Sequence, residues 1–243
     1  MSRFPTRPPL PLFSVRVDLA AVVGPAAFIG FTASTSKSPA SQDVLAWSVN
    51  GQPIGLTAQS QTGGVIANSI LDFSQVQGAN GWFYGYYRDP FTPSTFTELP
   101  HFGVYTLPNG IKSRPTWYEG RKFWTELWAA GGHPNSVVTS VTARPVNQWA
   151  VRRWVSPVDA QVEVAGFLSK SDVTGGDGVL GKIYLNGTEL WSRSIAAKDA
   201  TGVNYDLSFQ VHRGDRIDFV LEPKKTDFYD SSYLAAVISR NPG

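Results

Sequence analysis

The sequence predicts an all-β protein, an antiparallel β-sandwich of jelly-roll type, and three observations carry that prediction. Apolar residues alternate at period two in many short runs, glycines and prolines separate those runs, and no stretch holds a convincing helical period. The 23 Gly and 17 Pro of the 243 residues are scattered as turn markers, so the strands are expected to be short and numerous. Aromatic residues make up 13% of the chain and charged residues only 16%, the balance of a rigid packed core and the opposite of a disordered chain.

Taken in order, residues 1–12, MSRFPTRPPLPL, form a Pro-rich, extended lead-in without the apolar core of a signal peptide. Residues 13–49 give three β segments: Val15, Val17 and Leu19 alternate, then FIGFTAS, then VLAWSV. Three strands cannot close a sandwich, so this segment is expected to pack on the rest of the chain. Residues 50–67, NGQPIGLTAQSQTGGVIA, read as a linker.

From residue 68 to residue 243 the reading is one β domain. WFYGYY puts five rings into the six positions 82–87. Trp82, Tyr84 and Tyr86 point to the core, while Phe83 and Tyr87 face the other way and need a cover, either the N-terminal strands or the 114–132 loop. Residues 117–132, WYEGRKFWTELWAAGG, leave room for a short turn of helix. Strands follow on either side of Ser156-Pro157, with Val162 and Val164 inward and Gln161 and Glu163 outward. Asn186-Gly187 suits a type I′ hairpin turn. A second hairpin is expected around Arg213-Gly214-Asp215, with Tyr205, Leu207, Phe209 and Val211 before it and Ile217, Phe219 and Leu221 after it. The Gly of that RGD tripeptide is read as turn chemistry and not as an adhesion signal. YLAAVISR ends the domain as a last strand.

Two stretches resemble known families. The run VRVDL, IGFTAST, DVLAWSV in residues 13–49 resembles the C-terminal end of a legume-type (L-type) lectin domain. The metal-binding loop and sugar-orienting Asp of such lectins have no counterpart here, so the lectin's own binding activity is not implied. The set QGANGWFYGYY, GGHPN, AVRRWVSP, GGDGV, LNGTELW, GDRIDF and TDFYDSS, across residues 70–240, resembles an uncharacterised bacterial module of exported, polysaccharide-associated proteins. That resemblance implies a jelly roll of carbohydrate-binding type, in a bacterial, extracellular or cell-surface setting.

Function classes narrow accordingly. A net charge of +2, from 21 basic and 19 acidic residues, argues against nucleic-acid and membrane partners. With no cysteine there is no disulfide and no thiolate metal site. The alternating carboxylates of a retaining glycosidase strand are missing, and Asp215 and Asp218 have the wrong spacing. His101, His133 and His212 form no metal-ligand pair, and there is no GxSxG elbow. The chain therefore reads as a non-catalytic binder of a polysaccharide or other glycan. Its alternatives are a structural or protein-interaction module and, third, a polysaccharide-active enzyme of unrecognised type. Its oligomeric state is left open.

The candidate sugar platform is Trp117, Tyr118, Trp124 and Trp128, because the apolar face of a pyranose stacks on an aromatic ring. Arg121 and Glu126 stand beside it for hydroxyl hydrogen bonds, and His133 is the neighbouring polar group. No cofactor is required. A structural calcium is compatible with Asp172 and Asp177 in a Gly-rich loop and Asp227 and Asp230 in a second acidic loop. The competing reading is that these four aspartates cap turns.

Overall fold

The computed structural model describes residues 64–240, together with the backbone of Ser48–Val49 (β1) and Gln52–Pro53 (β2). The chain divides into two units, Met1–Leu56 and Thr57–Gly243. In the first, β1 and β2 pair antiparallel, Ser48 opposite Pro53 and Val49 opposite Gln52. The Pro-rich lead-in, the remaining segments of 13–49 and their packing on the sandwich lie outside the described residues.

The second unit is an antiparallel β-sandwich. Its strands are β3 (Val65–Asn68), β4 (Trp82–Tyr87), β5 (Thr97–Glu98), β6 (His101–Gly103), β7 (Thr116–Tyr118), β8 (Glu126–Trp128), β9 (Gly131–His133), β10 (Trp149–Val155), β11 (Ala160–Lys170), β12 (Val179–Leu185), β13 (Thr188–Ile195), β14 (Val203–Val211), β15 (Arg216–Pro223) and β16 (Ser232–Arg240). One sheet has six strands in the order β13-β12-β15-β10-β4-β5. The other has eight, β14-β11-β16-β9-β8-β7-β6, with β3 also paired to β16. The expected linker therefore ends earlier than its composition suggests, since Val65, Ala67 and Asn68 are already in register with β16.

The core lies between the sheets. Trp82, Tyr84, Tyr86 and Trp154 of the six-stranded sheet meet Val162, Val164, Leu168, Leu234 and Ile238 of the other. In β11 burial alternates as read, with Val162 and Val164 buried and Gln161 and Glu163 exposed. Asn186 and Gly187 both have positive φ, 49° and 96°, as a type I′ turn requires.

Three expectations are corrected. Tyr87 is not covered by residues 114–132, and the expected cover from the N-terminal strands lies outside the described residues. Tyr87 belongs to a small second core on the outer face of the six-stranded sheet, with Val151 and Val220 beneath Phe91 and Phe96 from its own following connection. Arg153 clamps Asp218 there with two hydrogen bonds of 2.7 and 2.8 Å, and the Tyr87 hydroxyl donates to the same carboxylate. Residues 117–132 contain no helical turn: they form β7, β8 and β9, where two glycines let strands approach closely. A Cβ on Gly131 would fall 2.1 Å from Ser232 O. Finally, β14 and β15 are not a hairpin. They lie in different sheets, so the Arg213-Gly214-Asp215 turn crosses from one layer to the other.

Strand glycine Gly166 shows how tightly the sheet is fitted. Tyr205 donates from its hydroxyl to Ala235 O at 2.7 Å, directly over Gly166. A Cβ at that position would lie 2.0 Å from Ala235 O and 2.4 Å from the tyrosine oxygen. Gly166→Ala is expected to destabilise the sandwich by about 1–3 kcal/mol, the usual range for overpacking. Urea denaturation checks this, and an unchanged midpoint would contradict it.

Candidate functional site

The register of the short strands sorts the predicted site residues onto two faces. Phe102, Trp117, Leu127 and Gly132 are successive cross-strand partners, as are His101, Tyr118, Glu126 and His133. Cross-strand partners share a face. Trp117 and Leu127 belong to the main core, so the second row lies on the outer face. Trp117 is buried and its indole donates to Ser74 O at 2.8 Å. It is a core residue and offers no ring to a ligand.

The outer row is roofed by the connection between β6 and β7. Tyr105 stacks on Tyr118 at 4.0 Å with parallel planes, which takes that face of Tyr118. Arg114 lies over the Trp128 ring, 4.2 Å from its centroid, and Trp128 is buried. Arg121 is exposed in the turn before β8 and does not line the cavity. Four of the expected sugar-site residues, Trp117, Tyr118, Arg121 and Trp128, are thus not brought together as a platform.

The other three are. Trp124, Glu126 and His133 line a cavity of about 560 Å³ beneath the 107–114 segment, within the range of small-ligand pockets, roughly 300–1,000 Å³. Trp124 is half-buried and its ring stacks on His133, centroids 5.3 Å apart. Its backbone N–H donates to Asn135 Oδ1 at 2.9 Å. The Asn135 amide in turn donates to Arg144 O and Val146 O. The His-Pro-Asn triplet therefore holds the tryptophan as well as supplying the histidine.

Burial sets the protonation of the polar groups. His133 is pushed down to about 4 by desolvation and is neutral at neutral pH. Its Nδ1 lies 2.6 Å from Pro134 O; a carbonyl only accepts, so Nδ1 carries the proton and Nε2 is left as an acceptor. Glu126 is pushed up to about 7 by burial, against the opposing pulls of the Arg114 guanidinium and the Tyr105 hydroxyl. Its Oε2 is buried with no partner. The cavity therefore offers a carboxyl that holds a proton close to neutrality beside a neutral imidazole acceptor.

The opposite wall comes from the acidic loops. Asp172, Asp227, Phe228 and Tyr229 line the same cavity, and Ile111, Phe228 and Tyr229 are exposed. Sequence reasoning misses these rings because TDFYDSS draws attention to its aspartates. Tyr105 and the 107–112 segment were missed as well. The tight-turn signal Pro108-Asn109-Gly110 beside Ile111 was there to find them.

The two acidic loops do meet, through Asp177 and the Lys225-Thr226 segment. Among the described residues no group of three or more His, Asp or Glu side chains is arranged to hold a metal. Asp172 accepts from the Thr174 backbone N–H at 2.9 Å. Asp177 accepts from Lys225 N and Thr226 Oγ1, both at 2.8 Å. Asp227 accepts from Ser136 N at 2.9 Å, and burial pushes its carboxyl up to about 6. Asp230 pairs with Lys170. The basic group among these carboxylates is Lys170, while Asp227 Oδ1 and Asp230 Oδ2 are buried without a partner.

No protein-family model matches the chain, and no curated protein matches it. Among solved structures, a family 35 carbohydrate-binding module from Clostridium thermocellum aligns at 9% identity with a TM-score of 0.29, covering 64% of this chain and 96% of that one. A C-terminal family 6 module of a laminarinase from Zobellia galactanivorans aligns at 9% and 0.28, covering 65% and 99%. A structure of a family 51 module in complex with GlcNAc and INT domains, from Clostridium perfringens, aligns at 11% and 0.31, covering 65% of this chain and 27% of that one. Overlaps this slight carry no argument about the site.

Proposed function

We propose that the sandwich unit binds carbohydrate without transforming it, taking a sugar into the cavity between the outer row of β8–β9 and the loops at 107–114 and 227–231. One observation carries this reading: a 560 Å³ cavity is lined by the half-buried Trp124 ring, by Glu126, whose Oε2 has no partner, and by His133, whose Nδ1 is spent on Pro134 O and whose Nε2 is an acceptor. A pyranose presents both an apolar C–H face and hydroxyls, and so uses both kinds of group at once. Phe228 and Tyr229 extend the apolar rim toward neighbouring units of a chain. The bacterial, extracellular, polysaccharide-associated setting rests on the sequence motifs of residues 70–240.

Stacking and a few hydrogen bonds correspond to micromolar-to-millimolar affinity, roughly −4 to −8 kcal/mol. A glycan array followed by calorimetric titration is expected to find such a ligand. Trp124→Ala should abolish its binding with little fall in melting temperature, because that ring is only half-buried. Undiminished affinity in the variant would remove Trp124 from the site. The burial of Trp117 and Trp128 favours a second reading, a structural or protein-interaction module whose rings only join layers. Absence of binding to any glycan would hand the protein to that reading.

A further inference from the structure

Lys170 ends β11, and Asp230 stands two residues before β16, the neighbouring strand; Lys170 itself is in register with Ser232. Both side chains are completely buried, with Nζ 3.3 Å from Asp230 Oδ1. Asp230 Oδ2 has no partner at all. The loops close over the pair: at Gly176, φ 87°, a Cβ would meet Phe228 O at 2.0 Å. Asp177 fastens the same two loops through Lys225 and Thr226. Nζ also donates to Tyr229 O at 2.5 Å, which fixes the lysine at this end of the strand. An amine and a carboxyl are thus held side by side by one strand and the entry to its neighbour, in a place shut off from water.

We propose that Lys170 and Asp230 condense into an intramolecular isopeptide bond linking β11 to the entry of β16. The Nζ lone pair forms the new bond to Cγ, the Cγ–OH bond breaks, and the hydroxyl departs with one amine hydrogen as water. No oxidant or other reactant is needed. The reaction uses the neutral amine and the protonated acid, and burial drives both groups that way, pushing the ammonium down and the carboxyl up. The neighbouring carboxyls of Asp177 and Asp227 raise Asp230 further. Exclusion of solvent also favours the amide, because hydrolysis requires water to return.

Intact-mass spectrometry of the purified, folded chain tests this directly. The wild-type protein is expected to weigh one water less than its sequence, with a branched Lys170–Asp230 peptide after protease digestion. Lys170→Arg, which cannot form the amide, should show its full sequence mass. Wild-type protein at full mass would overturn the proposal. So would a lost water that maps elsewhere or persists in Lys170→Arg. The wild-type measurement decides the matter even if the variant folds poorly.

Discussion

Replacing Arg152 with leucine is expected to lower stability by about 3–5 kcal/mol, the largest effect of any single substitution considered for this protein. Arg152 projects from β10 into the core and is almost fully buried. Its guanidinium donates to Ser69 O at 3.0 Å, Ala129 O at 2.9 Å and Trp128 O at 2.6 Å. All three acceptors are backbone carbonyls at the facing sheet, so one side chain of the six-stranded layer holds the β8–β9 turn and the end of β3. Leucine fills much of the volume but leaves those carbonyls buried and unpaired, at about 1–3 kcal/mol each. The charge's own desolvation penalty offsets part of that sum. Burial lowers the guanidinium only to about 10, so it remains charged at neutral pH. Urea titration measures the change, and a loss under about 1 kcal/mol would show that the carbonyls find other donors.

Glu126→Gln is expected to stabilise the protein at pH 8 and to leave it nearly unchanged at pH 5. Burial raises the folded-state carboxyl from 4.5 to about 7. Between those values the folded chain binds more protons than the unfolded one, so stability falls as pH rises through that window. Well above pH 7 the native state must bury a carboxylate. At about 1.4 kcal/mol per pKa unit the penalty approaches about 3 kcal/mol. Glutamine is neutral throughout and escapes it. The groups facing Glu126 are Arg114, Tyr105, Tyr118 and His133, and all are common to both proteins. Asp227 and Asp230, also raised, cancel in the comparison. Melting curves of the two proteins at both pH values provide the check. Equal melting temperatures at pH 8 would mean that Glu126 is solvated or fully compensated by Arg114.

The sequence was informative wherever a local pattern determines the outcome. Alternation in β11, the Asn186-Gly187 turn and the inward set of Trp82, Tyr84 and Tyr86 all follow from period two and turn chemistry. It was uninformative where two arrangements give one pattern. Strands β14 and β15 alternate in the same way whether they pair or face each other across the core. In residues 114–132 the rings are obvious, but which of them lie under a roof depends on residues 104–114, and nothing in the run itself reveals that. Glu126 and His133 could have been found together. Read as a hairpin about Ala129-Ala130, the run ELWAAGGH puts them directly opposite one another. Lys170 gives no signal beside the four aspartates, because an isolated lysine at a strand end carries no motif.

The crossing turn at Gly214 has a consequence for how the chain acquires its fold. Because most connections after β9 change layer, many partners within a sheet are distant in sequence: Trp82 pairs with Trp154, and Ala67 with Ile238. Such topologies fold slowly, since long loops must close before their contacts repay the lost entropy. Strand β16 joins β3, β9 and β11, so three earlier segments share a partner that the ribosome makes after all of them. Until Ser232–Arg240 emerges, the nascent eight-stranded layer has unpaired edges at its centre, and the window for misassociation spans nearly the whole of this unit's synthesis.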